Sequence, residues 1–429
     1  MALCGVSENE RSHAKSNTEG IIRNEDVSVA EWLHNMSQST VYYPNVKMAQ
    51  QNTLQQIAFF KTLAMGDIQR LRSIVAHDSE ILNCYDYRNF GATPLTMACF
   101  SNRPALVEAL IELGADPNRK SDWNMGPWSP LHCVIFRRDK LMAEFLLSHG
   151  ATIDVHTAAG LGKYEETARL LDTDPSRVLE KGGDGCHPLH FAETTEVAQL
   201  LLDRGAEIDA KCIDHHSTPA QYLCSQRPEV ARFLFSRSAT PDIFSTVLSG
   251  DDPAVVKLLN ADPNLINARI NQTFFPPGSE HDVHNILTFS IGLDSTPLHS
   301  AAKANRCEAV DILVRRGLSP DVRGGYDLAT PLHTAAWNNC AVSAEALLDN
   351  GADINVVSGK LHNNSPAGWA IVSGSDSVFD LLMDRGALCH SWFLDDAREA
   401  CDGRFDQVSH VSPQQRDRIL SRVRRSNAT

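Results

Sequence analysis

The chain has no apolar run of about 18 residues, so nothing in it reads as a membrane-spanning helix. Residues 1–20 are polar and charged and contain no apolar core of a secretory leader, so none is expected. There is no Gly-rich phosphate loop, no Gly-x-Ser-x-Gly, no His-Glu-x-x-His and no Cys-x-x-Cys, which removes the common nucleotide, hydrolase, metalloprotease and redox signatures. Positive charge is also scarce: the net charge is −14 over 429 residues, so the body is not built to hold nucleic acid. The five arginines and single aspartate of residues 413–429 make the end locally basic, of the kind that serves as a nuclear address or meets an acidic partner, and leave −18 on the rest. The eleven cysteines are an odd number; Cys99, Cys133, Cys224 and Cys340 stand where small core residues recur, and read as reduced, buried thiols of an intracellular protein, cytoplasmic or nuclear.

What the chain does have is self-similarity. Thr330-Pro331-Leu332-His333 runs on to Asn355, and Thr296-Pro297-Leu298-His299 does the same one unit earlier. Ser129-Pro130-Leu131-His132 and Thr93-Pro94-Leu95-Thr96 open two further units, closing in HGATID and LGADPN. A period of about 33 residues means stacked units, each packing on its neighbours. Each residue of the unit has a physical task. The Thr hydroxyl caps a first helix, Pro sits where no N–H is lost, Leu enters the core, and His ties one unit to the next. Paired Ala lets helices approach, Leu-Leu packs forward, and Gly ends the second helix.

These residues resemble the ankyrin repeat, from about Leu54 to Val411. The resemblance implies an all-α solenoid of about eleven helix-pair units with protruding hairpin loops, and it implies no catalysis. Residues 57–83, 155–179 and 243–267 lack the Thr-Pro opening but share a closing Asp-(Ser/Pro), which suggests a longer exit from the second helix. His187-Pro188, Thr218-Pro219 and Ser365-Pro366 open more units, and 394–408 reads as the last. Residues 1–53 are expected to be partly disordered with a short helix over 27–36, the array to fill 54–411, and 412–429 to form a basic helix or tail. An insertion at 271–293 exceeds a normal hairpin by roughly twenty residues. It carries strand-like residues over 286–291 and is expected to lie outside the stacking surface.

Candidate binding residues follow from hairpin tips and inner helices, which line the groove of such a stack. The tips carry Tyr85, Tyr87, Phe90, Trp123, Trp128, Tyr326 and His362, and the inner helices Phe100, Phe136, Arg137, Trp337 and Trp369. Aromatics and Arg dominate binding hot spots, so a partner protein or peptide is expected there. The plainer alternative is that some of them fill gaps left by degenerate units. Among the seventeen histidines, His132, His190, His299 and His333 are structural by their motif. His281, Asp282 and His284 in the insertion offer a metal set of low promise, since a loop pair supplies two nitrogens at best. His215-His216, Cys186-His187 and Cys212 remain unassigned by the motif. No cofactor is expected, and no catalytic residue stands out. The second reading is an enzyme or ligand-binding protein that closes a small-molecule pocket under the insertion.

Overall fold

The computed structural model describes residues 52–276, 285–359, 365–388, 417–419 and 421–422. The expected N-terminal helix over 27–36 and closing unit over 394–408 lie outside the described residues. So do His281, Asp282, His284 and His362. The chain divides into two compact units. One takes in residues 41–251 and 271–287, the other 252–270 and 288–429.

Helices make up both units; the only extended pairing among the described residues is two single bridges, Asp86 with Ala92 and Gly324 with Ala329, at the necks of hairpins. In the first unit, helix pairs run from Leu54–Met65 with Ile68–His77, through Pro94–Phe100 with Pro104–Glu112 and Pro130–Phe136 with Lys140–Ser148, to Pro219–Leu223 with Pro228–Ser236. In the second, Pro297–Lys303 pairs with Cys307–Arg315, Pro331–Trp337 with Ala341–Asp349, and Pro366–Ser373 with Asp376–Asp384. The openings behave as the sequence dictates. Ser129, Thr218 and Ser365 accept a hydrogen bond from the third helical N–H, with proline at the first helical position. At Thr296 and Thr330 the histidine of the motif takes the cap instead: its Nδ1 lies 2.9 Å from the Thr Oγ1. Pro188–Phe191 closes only a 3-10 turn where its neighbours form an α-helix.

Two devices tie consecutive units. The first is the buried histidine, whose Nε2–H donates to a carbonyl of the next hairpin: His190 to Ser217 O and His299 to Ala329 O, both at 3.1 Å. The second is a ladder of Asn and Asp side chains accepting from a backbone N–H one repeat further on. Asn83 accepts from Asp116, Asn118 from Thr152, Asp209 from Thr240, Asp321 from Asp353 and Asn355 from Leu388, at 2.8 to 3.1 Å. Between these polar seams lies the core of leucines, alanines and small thiols. Leu298, Leu332, Ala301 and Ala335 have no exposed surface, and Cys99, Cys133, Cys224 and Cys340 are buried and free.

The three units without Thr-Pro share one exit. After each second helix a 3-10 turn follows, Ser79–Asn83, Pro175–Leu179 and Pro263–Asn267, and the Asp before it caps the turn by accepting from the N–H two residues on. The insertion departs from expectation. Residues 286–291 are not extended but form the helix Ile286–Ile291. Asn285 Oδ1 accepts from Leu287 N, and Leu287 and Ile291, one helical turn apart, are buried at 1 % and 4 % exposure. Burial of one helical face overrides the β-preference of its residues. Asn285 also donates to Gln221 Oε1, while Phe274 and Phe275 pack on Phe244 with centroids 5.2 and 5.9 Å apart. Phe274, Phe275, Asn285, Leu287 and Ile291 therefore take part in packing, where the insertion was expected to lie outside the stacking surface.

Near the basic end, residues 417–419 and 421–422 are helical. Arg418 pairs with Asp376 and Asp380 at 3.3 and 2.8 Å, Arg422 pairs with Asp384, and Ile419 is buried between them. Aspartates spaced by four residues face arginines spaced by four, as two helical stripes require.

Leu332→Ala is expected to lower unfolding free energy by about 2–5 kcal/mol, through lost burial plus an inter-unit cavity; denaturant titration reads this directly. The buried His299 imidazole is held neutral by desolvation, down to about 4 from 6.5. The unfolded chain therefore takes up a proton that the folded one refuses as pH drops below 6.5. Stability present above pH 6.5 is lost towards pH 4, about 3 kcal/mol at this residue alone. Chemical denaturation at stepped pH should show that loss, and His299→Gln should flatten it.

Candidate functional site

Three hairpins of the first unit, the first two separated in sequence by the short connection 149–154, meet through buried polar side chains. Their tips are residues 121–128, 182–186 and 212–217. The middle tip, Gly182-Gly183-Asp184-Gly185, is almost all backbone. Asp184 turns through a left-handed conformation (φ 56°) and donates its N–H to Gly126 O at 3.3 Å. Its own carbonyl accepts from Ile213 N and Asp214 N at 3.0 and 3.1 Å. One residue thus bonds the tip before it and the tip after it. This approach leaves no room for side chains at two positions. A Cβ on Gly126 (φ 143°) would stand 2.2 Å from Gly182 O, and one on Gly183 would stand 2.5 Å from the Trp128 ring.

Side chains complete the cluster. Trp128 Nε1–H donates to Asp184 Oδ1 at 2.7 Å. The other carboxylate oxygen, Oδ2, lies 3.6 Å from His215 Nε2, and Asp214 Oδ2 lies 3.7 Å from the same nitrogen. Asp184, Asp214 and His215 are 5 %, 1 % and 3 % exposed. Burial pushes the Asp214 carboxyl up, against the pull of His215. Burial alone would depress His215, but the facing charges of Asp214 and Asp184 outweigh it and raise the imidazole. Beside them, Cys212 Sγ accepts from Ser217 N at 3.5 Å and lies 3.6 Å from Tyr222 Oη. Burial disfavours its thiolate, yet the Cys186 thiol, the His215 charge, Ser217 N–H and Tyr222 bring the Cys212 thiol down to about 6. Cys186 is pushed up, first by burial and then by its bond to Cys212. A second group lies in the same unit: His132 Nε2 is 3.0 Å from the Asp154 carboxylate, and His156 Nε2–H donates to Glu180 O at 3.0 Å. His132 holds Asp154 well below the usual carboxylate range despite burial.

The sequence-predicted residues divide. Trp123 and Trp128 are not exposed anchors: at 8 % and 9 % they are packed, Trp123 edge-on to Phe90 at 4.7 Å and Trp128 against Phe100, Phe136 and Phe191. Trp128 fills the space that Gly183 of the middle tip leaves. Phe100 and Phe136, half-buried on consecutive inner helices, stack at 6.0 Å with planes 9° apart, and Arg137 follows at the helix end. Tyr85 and Tyr87 lie 5.9 Å apart on their tip, with the Arg119 guanidinium over Tyr85 and Tyr87 Oη donating to Asp122. In the second unit Tyr326 Oη donates to Thr288 O and Phe289 O, and Trp337 meets Trp369 edge-on at 5.6 Å. Asp184 and Asp214 were absent from the sequence-based candidates; the signal was the run Gly182-Gly183-Asp184-Gly185, too small in side-chain volume for an ordinary hairpin tip.

Family models agree with this repeat geometry. A model for three consecutive ankyrin repeats matches residues 64–157 and 243–358, and a single-repeat model matches 184–213. The chain belongs to the ankyrin-repeat family. Among curated proteins it is similar to the E3 ubiquitin-protein ligase KEG of Arabidopsis thaliana, 23 % identical over 76 % of this chain and 19 % of that one. It is also similar to the transient receptor potential cation channel subfamily A member 1 of Homo sapiens, 25 % identical over 70 % of this chain and 28 % of the channel. The B-cell lymphoma 3 protein of Homo sapiens is 32 % identical over 30 % of this chain and 32 % of its own. The chain thus spans less than a third of the length of the first of these relatives. Among the described residues no helix is long and apolar enough to cross a membrane.

Trp128→Phe keeps an aromatic ring, though a smaller one, and removes the donor to Asp184, leaving a buried carboxylate oxygen unserved. It is expected to cost about 1–3 kcal/mol in denaturant titration. Gly126→Ala, which forces the tips apart, should cost at least as much.

Proposed function

We propose that this ankyrin-repeat chain is an intracellular binding scaffold that receives a partner protein, as an extended or helical segment, on its inner-helix face. Ankyrin repeats are protein-interaction modules, and that coarser statement holds for the family. The observation that carries the finer reading is the Phe100–Phe136 stack. Two parallel, half-exposed rings on successive inner helices form an apolar strip, flanked by Arg137. A chain with −18 outside its last residues favours a partner segment with apolar anchors among basic residues. Trp337 and Trp369 offer a second apolar patch of the same kind in the other unit. Free, buried cysteines such as Cys99 and Cys133 suit a reducing compartment. Phe274 and Phe275 of the insertion pack on Phe244, which favours a scaffold over a pocket-closing loop. A ligand-binding reading has one observation in its favour, the buried Asp184–His215–Asp214 group.

Peptides selected from a displayed library against the folded chain test the scaffold reading. Phe100→Ala with Phe136→Ala should weaken their binding at least tenfold while shifting the melting temperature by only a few degrees, because both rings are partly exposed. Undiminished binding by the double variant would rule out the inner-helix strip.

A further inference from the structure

Two carboxylates and one imidazole converge on a point at ion-pairing distance from one another. His215 Nε2 stands 3.6 Å from Asp184 Oδ2 and 3.7 Å from Asp214 Oδ2, both beyond hydrogen-bond length. Asp214 Oδ2 accepts no hydrogen bond, although Asp214 is only 1 % exposed. An orphaned carboxylate oxygen in the interior is costly unless a cation meets it. His215 offers at most one positive charge to two carboxylates, so in this buried group the second is balanced only by a proton or by the further charge of a bound cation.

The spacing suggests what supplies it. Donors held about 2.0–2.2 Å from one metal ion at tetrahedral to trigonal angles lie about 3.3–3.6 Å apart. That is close to the observed separations, and the three donor atoms lie within 4.8 Å of one another. The outer shell is built accordingly. Trp128 Nε1–H fixes Asp184 through Oδ1 and leaves Oδ2 facing His215, and Asp214 also feels the Trp123 indole N–H. Groups that orient ligating carboxylates in this way are typical of metal sites. The backbone holds the same register, since Asp184 O receives the N–H of Asp214 itself.

We propose that Asp184, Asp214 and His215 form a binding site for a first-row divalent cation of the zinc type, set between the hairpin tips. An O,O,N donor set suits Zn2+, Co2+ or Mn2+ and not a soft monovalent ion. Two carboxylates neutralise the dication, and three protein ligands leave a coordination position for water or a ligand group. The neighbouring thiols are a separate set. The ligand atoms of Cys212, Cys186 and His190 lie within 4.8 Å of one another, and His190 Nε2 is already committed to Ser217 O.

The test is titration of the chelator-treated full chain with Co2+, followed by Zn2+ displacement. The expected result is one saturable equivalent with visible bands of an oxygen- and nitrogen-ligated ion and no thiolate-to-cobalt charge-transfer band. Asp214→Asn, an isosteric change, should weaken binding at least a hundredfold. Cys212→Ser should bind as the wild type does. Zn2+ should raise the melting temperature of the wild type and not that of Asp214→Asn. Three results would overturn the proposal: no saturable binding by the folded wild type, a thiolate charge-transfer band with loss of binding in Cys212→Ser, or unchanged affinity in Asp214→Asn. Should Asp214→Asn not fold, the wild-type cobalt spectrum together with Cys212→Ser decides between the two donor sets.

Discussion

Hydrogen bonding from one repeat to the next is the constraint on which this structure rests. A helix pair has too little core to stand alone, so each must be registered on its neighbour. Leucine and alanine packing supplies most of the favourable energy, but apolar contacts are tolerant of sliding. Polar contacts are not. His190 and His299 each spend Nδ1 on their own helix start and Nε2 on a carbonyl of the next hairpin. The Asn and Asp ladder fixes the same register at the hairpins. Losing one of these partners leaves a buried donor or acceptor bare, which is why the histidine recurs with the repeat.

Within residues 121–217 charge is added to that regular scheme, beside the tie of His190 to Ser217. Trp128, Asp184, Asp214 and His215 replace apolar tip contacts with a group whose desolvation is costly and whose geometry is therefore restrictive. The glycines around Asp184 and the two indoles make sense only as parts of one arrangement. Remove the ring and the glycine gap is a void; add a Cβ and the ring has no place. A stack required only to be stable has no need of such a group, and its presence concentrates chemistry in one part of an otherwise repetitive chain. The inner-helix strip of Phe100 and Phe136 borders it through Trp128.

The fold was legible because the repeat writes each physical task into a fixed position. Thr296-Pro297-Leu298-His299 could be assigned cap, first turn, core and tie without any structure, and the closing aspartates Asp78, Asp174 and Asp262 announced an altered helix exit. The cluster was legible only in part. His215, Cys186 and Cys212 stood out as residues the repeat did not use, but their aspartates did not, because which hairpin tips touch depends on backbone approach rather than on spacing. Tip position makes Trp123 and Trp128 binding candidates, but Trp128 lies against a neighbouring tip of nearly bare backbone and Trp123 packs on Phe90. The Ile286–Ile291 helix was hidden by β-branched composition, and only burial of Leu287 and Ile291 shows why it coils.

The central claim is that Asp184 locks three hairpins into one rigid piece. Amide hydrogen exchange of the native chain measures this most directly at Asp184, Ile213 and Asp214, whose N–H groups bond across tips to Gly126 O and Asp184 O. The account predicts protection at these three amides comparable to that of the inner helix Pro130–Phe136. Exchange as fast as that of an exposed loop, with the helix still protected, would contradict it.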